Sequence, residues 1–219
     1  MTGIGKNVII WDWNGTLLDD LDICINGINK YLKDRNLPLV NKKRYRDIFR
    51  FPIESYYRDL GFNFENETFD KLSEDFLKTY FLQFSQTRLF ENTENVLQKL
   101  QLAGFSQYIL SAMDQKSLEN SVKKFGITGY FEKIAGAPNL LAKGKLEYGM
   151  QLIADENLNR EGCVLIGDTL HDQEVANELH IPAILVSAGH QTAKRLKING
   201  NAVAGSLPEA YQLLTGNRF

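Results

Sequence analysis

Cysteine is nearly absent: Cys24 and Cys163 are the only two in 219 residues. Each lies in an apolar run, and the two lack the spacing of metal ligands. Both are expected to be buried free thiols, without a disulfide framework or a zinc site. Long apolar runs are missing as well. No stretch approaches the roughly 18 apolar residues of a membrane span. The run Val8–Trp11 that follows Lys6 is too short for the apolar core of a signal segment. A cytoplasmic protein without a membrane partner is the expectation. A charge excess is missing too, since 25 Lys and Arg face 27 Asp and Glu, a net charge of −2. No broad basic surface for nucleic acid follows from that balance, so any anion binding must be local. Repeats, low-complexity tracts and Pro- or Ser-rich linkers do not occur. What remains is an ordinary soluble composition, long enough to bury a core without staples. One large domain, or a core with a smaller insert, fits the length. The chain could be a monomer or a homodimer.

The pattern of strands and helices is uneven. Val8–Trp11 reads as a buried parallel strand that ends at Asp12. From Asp19 to Gln86 only helical spacing follows. Leu21, Ile25, Ile28 and Leu32 mark one face. Ile53, Tyr56, Tyr57 and Leu60, closed by Gly61, mark a second, and Phe69, Leu72, Phe76, Leu77 and Tyr80 a third. After residue 90 strands and helices alternate. Thr93–Ala103, Gln115–Phe125, Lys145–Ile153 and Asp172–Leu179 read as helices. Tyr108–Leu110, Ile134–Gly136, Val164–Ile166 and Ala183–Val186 read as strands. Alternation of this kind predicts an α/β fold with a parallel sheet and covering helices. The helical block predicts a subdomain inserted after the first strand. Ligands of such sheets bind beyond the carboxyl ends of the strands. Asp12, Ser111 and Asp168 each leave a predicted strand end, so two carboxylates and a hydroxyl should meet at one edge.

The residues at those ends form a pattern. Asp12-Trp13-Asn14-Gly15-Thr16-Leu17 resembles the first motif of the haloacid dehalogenase (HAD) superfamily. Ser111 after Tyr108-Ile109-Leu110 resembles the second, and Lys143 or Lys145 fits the third. Gly167-Asp168-Thr169-Leu170-His171-Asp172 resembles the fourth. The likeness covers nearly the whole chain and is nearest to the phosphoglycolate-phosphatase-like branch. It implies a Rossmann-like core of residues 1–17 and 88–219 and an inserted helical cap of residues 18–87. It further implies a Mg²⁺-dependent phosphohydrolase acting on a small phosphorylated substrate.

The resemblance also implies roles, and each has a chemical reason. Asp12 would attack phosphorus and form an aspartyl-phosphate, splitting one hard step into two easier ones. Mg²⁺ would relieve the repulsion between two anions, and it prefers oxygen ligands. Asp12, Asp168, Asp172 and the Asn14 carbonyl are the implied ligands. Ser111 would donate to a phosphoryl oxygen, and the lysine would neutralise charge. Lys143 precedes Glu147 by four residues, but Gly144 and Leu146 stand where two prolines would be. Lys145-Leu146-Glu147 fits a second version of the motif and is the preferred choice. Gly15 permits a tight turn that opens backbone N–H groups to phosphate. Gly15, Thr16 and Ala112 would contact substrate, with Thr16 closing the loop.

Asn14 departs from the pattern. The family's second aspartate protonates the leaving alkoxide and then activates water, help worth about 10²–10⁴ in rate. An amide cannot relay a proton at neutral pH. Slow ester hydrolysis, substrates with good leaving groups, an acid supplied by the cap, carbon–halogen or phosphonate cleavage, and a weakly catalytic phospho-ligand binder all remain open. Phosphonate cleavage would need a cap lysine, with Lys30, Lys33, Lys42 and Lys43 available. Arg44, Arg46, Arg50 and Arg58 read mainly as a solvated cap face, with Arg50 the preferred substrate contact. His190 would be a neighbour of the site or a loop residue. The loops Leu17–Asp20 and Gln86–Asn92 are the expected hinges.

Overall fold

The computed structural model describes residues 7–65, 67–138 and 145–216. In chain order it contains β1 (Val8–Trp11), β2 (Leu18–Asp19), α1 (Leu21–Asp34), α2 (Lys42–Ile48), α3 (Ile53–Asp59), α4 (Phe69–Gln83) and β3 (Arg88–Leu89). Then follow α5 (Thr93–Leu102), β4 (Ser106–Asp114), α6 (Gln115–Lys124), β5 (Lys133–Ala137), α7 (Lys145–Asp155), β6 (Cys163–Gly167) and α8 (Leu170–Glu178). The chain closes with β7 (Ala183–Val186), α9 (Ala193–Leu196), β8 (Ala202–Ala204) and α10 (Leu207–Gly216). Six strands form one parallel sheet in the order β5-β4-β1-β6-β7-β8. This is the expected Rossmann-type α/β fold.

Strand alternation splits the core between the two faces of the sheet. Ile9, Trp11, Ile109, Val164, Ile166 and Ile184 pack with residues of α5, α6 and α10 on one face. Val8, Ile10, Leu110, Leu165, Ile153 and Val175 pack on the other, under α7 and α8. Both faces are covered, which is why β1, β6 and β7 read as unbroken apolar runs.

Helices α1–α4 carry a third apolar cluster of their own. Leu21, Ile28, Leu32, Tyr45, Tyr57, Leu60, Leu72 and Tyr80 are buried in it. Truncating Leu32, fully buried here, would cost about 2–5 kcal/mol. The ribbon of β2 and β3 pairs Leu18 with Leu89 and Asp19 with Arg88. It lies where the chain enters and leaves this helical block.

Several bounds differ from the sequence pattern. β4 continues past Leu110 to Asp114, through a register shift against β5. Ser111 therefore lies within a bulged strand instead of at its end. Helix α2 lacks apolar periodicity beyond Tyr45 and is started by Asn41, whose side chain accepts from the Arg44 N–H. β8 and α10 were not expected from the pattern. Cys24 and Cys163 are buried free thiols, as expected. Among the described residues no helix is long and apolar enough to cross a membrane.

Candidate active site

The parallel register decides what meets at the sheet edge. Trp11 lies opposite Ile109 on β4 and Ile166 on β6. The next residues of all three strands reach the same carboxyl edge, where the strand order reverses around β1. Asp12 is anchored there by its own N–H, which donates to the Ile166 carbonyl at 2.8 Å. The chain then turns sharply. The Gly15 N–H donates to the Leu18 carbonyl at 2.8 Å, and Gly15 has a φ of +76°. A Cβ at Gly15 would also stand 2.3 Å from Asp168 Oδ2, so space and backbone both require glycine. Thr16 turns its hydroxyl back to Asp12 Oδ2 at 3.1 Å and holds that carboxylate.

Lys145, the first residue of α7, brings the positive charge. Its Nζ donates to Asp12 Oδ1 and to Asp172 Oδ1, each at 2.5 Å, and the side chain is buried. Burial alone would lower its pKa, but the two carboxylates raise it above the usual lysine value. Asp172 is held low despite its burial, chiefly by Lys145. Its second oxygen accepts from the N–H groups of Asp168 and Thr169 and from the Thr169 hydroxyl. Asp172 therefore braces both the lysine and the start of α8. Burial raises Asp12 to about 6, against the pull of Lys145. Burial also pushes Asp168 well above its usual value, with Asp12 and Asp172 adding to the effect and His190 opposing it.

Among the described residues one lysine thus bonds two of three adjacent buried carboxylates, and positive charge is in short supply. Asp12, Asp168 and Asp172 each offer an oxygen, and these atoms lie within 4.8 Å of one another. An all-oxygen donor set short of positive charge suits a hard divalent cation. The residues present therefore fit a metal such as Mg²⁺. Asp12 and Asp168 are the readier ligands, because Asp172 accepts from four donors, against two on Asp12 and one on Asp168.

A second buried cluster adjoins the first. Asp20, just before α1, accepts from Asn14 Nδ2 at 2.8 Å and from the Tyr80 hydroxyl at 2.9 Å, both on Oδ2. Its Oδ1 meets His190 Nε2 at 3.1 Å. The other ring nitrogen of His190 meets the Tyr45 hydroxyl at 3.1 Å, and its backbone N–H donates to Asp168 Oδ2 at 2.5 Å. Burial would lower the His190 pKa, but Asp20, followed by Asp168 and Asp12, raises it to about 9. Asp20 is held low in turn, because His190 outweighs its burial. The pair joins the helical block to the sheet. Sequence reading left His190 as a neighbour or loop residue and missed Asp20, Tyr45 and Tyr80. With Asp20 and His190 170 residues apart, only the fold brings them together.

The remaining candidates fall in several places. Ser111 is buried and its oxygen accepts from the Met113 N–H at 3.1 Å, leaving the hydroxyl hydrogen free to donate. Ala112 follows it and is exposed. Lys143 lies outside the described residues. Arg50 is not brought to the carboxylates. Its guanidinium is exposed and makes two bonds to Asp59, at 2.7 and 3.1 Å, and the residue lines a cavity with Leu170, His171 and Gln191. Arg46 is not on a solvated face. It donates to the backbone carbonyls of Ser187 and Gln191, while Arg195 donates to those of Arg46 and Phe49. These bonds latch α2 to the loop after β7. Arg58 pairs with Glu54. Lys30, Lys33, Lys42 and Lys43 are all exposed, so none is a desolvated amine for Schiff-base chemistry.

Comparison with known proteins agrees with this geometry. A family model described as haloacid dehalogenase-like hydrolase matches residues 9–186. The probable phosphatase IndB of Dickeya dadantii is 23% identical over 88% of this chain and 86% of its own length. A phosphoglycolate phosphatase of Colwellia psychrerythraea is 24% identical over 84% of this chain and 86% of its own. The crystal structure of a predicted phosphatase from Clostridium acetobutylicum superposes with a TM-score of 0.80 at 18% identity, over 97% of this chain and all of that one. With more than half its length matched by the family model, the chain belongs to the haloacid dehalogenase-like hydrolase family, on its phosphoglycolate-phosphatase-like branch.

Proposed function

We propose that the protein is a Mg²⁺-dependent phosphohydrolase that passes a phosphoryl group from a small metabolite to Asp12 and then to water. The phosphatase class rests on the family and on relatives described as phosphatases. One observation carries the mechanism: Lys145 bridges Asp12 and Asp172, buried at the carboxyl edge of the sheet, with Asp168 beside them. A carboxylate so placed is fixed, desolvated and ready to attack.

In the first step an Asp12 oxygen attacks phosphorus, and the bond to the leaving oxygen breaks with its electron pair. Ser111 would donate its free hydroxyl hydrogen to a phosphoryl oxygen. The Lys145 ammonium offsets anionic charge on Asp12 and the phosphoryl group, and Thr16 keeps Asp12 from rotating. In the second step water attacks phosphorus, the bond to Asp12 breaks, and inorganic phosphate leaves. Mg²⁺, held by Asp12, Asp168 and the Asn14 carbonyl with Asp172 behind them, would supply charge neutralisation and substrate orientation. Residues 18–87 would act as a cap over a core of residues 1–17 and 88–219, flexing at the β2–β3 ribbon.

A Mg²⁺-dependent screen of phosphate release over phosphorylated metabolites tests this reading. Turnover that disappears in Asp12→Asn and in chelator is the expected result. Turnover that survives in Asp12→Asn would remove the nucleophile.

A further inference from the structure

Asn14 stands two residues after Asp12, and the structure fixes which way its amide faces. Nδ2 donates to Asp20 Oδ2 at 2.8 Å and to the Tyr80 oxygen at 3.0 Å. The Tyr80 hydroxyl donates its own hydrogen to the same Asp20 oxygen at 2.9 Å. The three groups form a closed triangle. Asp20 can only accept, so a flipped amide would put oxygen against carboxylate oxygen, and could accept from Tyr80 only by taking that hydroxyl hydrogen from Asp20. Both amide hydrogens are therefore spent. Asp20 cannot turn away, because its Oδ1 is tied to His190 at 3.1 Å and the side chain is buried. The amide's one remaining polar atom is Oδ1, which accepts and never donates.

We propose that Asp20 and Tyr80 are positioning residues that lock Asn14 as a pure acceptor. An amide has no proton to transfer, and the lock withholds even its hydrogen bonds from the leaving oxygen, which restricts the enzyme to phosphoryl groups on acidic leaving groups, namely acyl phosphates and aryl phosphates. The proposal rests on the reading of Asp12 as nucleophile. An alkoxide expelled by Asp12 would need a proton as the bond breaks, and Asn14 has none to give. The Tyr80 proton is committed to Asp20, and both His190 nitrogens are occupied. A carboxylate or phenolate needs no such help. It leaves with the electron pair of the broken bond and takes its proton, if any, from water. In the second step Asn14 Oδ1 can accept a hydrogen bond from the attacking water and orient it. The water's proton passes to solvent, and inorganic phosphate departs.

The test is leaving-group dependence. Rates per unit concentration, kcat/KM, would be measured for substituted phenyl phosphates, acetyl phosphate and a primary-alkyl phosphate. The wild-type protein should show a steep slope, with the alkyl ester slower than acetyl phosphate by at least about 10²-fold, the low end of what general acid help supplies. The double variant Asn14→Asp/Asp20→Asn exchanges carboxylate and amide while preserving every bond of the triangle. It should shallow the slope and raise alkyl-ester turnover by about 10²-fold. Tyr80→Phe frees one amide hydrogen, which can hydrogen-bond to the leaving oxygen but not protonate it, and should shallow the slope by less. A shallow slope in the wild-type protein would overturn the proposal, whether or not the double variant folds. A Tyr80→Phe slope equal to that of the wild type would overturn the part given to Tyr80. The nucleophile reading fails separately: in that case no phosphate, whatever its leaving group, would be released in an Asp12-dependent way.

Discussion

Two buried ion clusters meet at the carboxyl edge of the sheet, and they are built differently. Around Lys145 one ammonium lies between Asp12 and Asp172, all three contributed by segments flanking the sheet. Around His190 one imidazole faces Asp20, with Tyr80 and Tyr45 contributed by α4 and α2. Among the described residues the first cluster has more negative than positive charge, which suits it to a cation. The second is closed on itself, with its donors paired. In the proposed mechanism, charge compensation and substrate attack belong to the first cluster. The second fixes Asn14 and ties the helical block to the sheet. Gly15 and Gly189 lie at the seam, where a Cβ on either would strike Asp168.

Breaking the first cluster should have the largest effect. Lys145→Met leaves two buried carboxylates without their cationic partner. A loss of about 3–5 kcal/mol is expected for breaking a buried pair, read from the urea midpoint. Turnover should fall to the limit of detection even where the variant is folded. If Lys145→Met kept wild-type activity, the contrast between the clusters would lose its basis.

The second cluster should announce itself through pH. His190 has a folded pKa of about 9, against an ordinary 6.5. A raised pKa contributes stability that is fully present below pH 6.5 and is lost as pH rises through about 9. The groups facing the imidazole are Asp20, Asp168, Asp12 and Tyr45. In chelator-treated protein the loss should be on the order of 3 kcal/mol across that window. His190→Gln should flatten this dependence. An unchanged profile in that variant would show that the Asp20 pair contributes nothing to it.

The smallest effect belongs to the surface of the helical block. Arg50 and Asp59 are both solvent-exposed. Arg50→Ala should leave both the urea midpoint and KM close to those of the wild type. A severalfold rise in KM would restore Arg50 to the substrate-binding set.

These contrasts also mark what could be read from the sequence. The limits of β1 and β7 match the apolar runs, because strands covered on both faces must be apolar throughout. Lys145 was legible by its motif spacing, and the structure buries it beside Asp12. β8 was not legible, since its three residues Ala202–Ala204 carry little apolar signal. Helix α2 was hidden because its arginines look solvated, whereas Arg46 spends its donors on carbonyls across the junction. Asp20 and His190 were out of reach for another reason. Their meaning lies in a contact that spans most of the chain, which no local pattern encodes.

The most direct measurement is chemical capture of Asp12. The protein would be mixed with acetyl phosphate and Mg²⁺, quenched in acid within the first turnover, and digested for mass spectrometry. A phosphoryl group on the peptide containing Asp12, removed by hydroxylamine and missing in Asp12→Asn, is the predicted result. Phosphate release with Asp12 unmodified throughout the first turnover would contradict it.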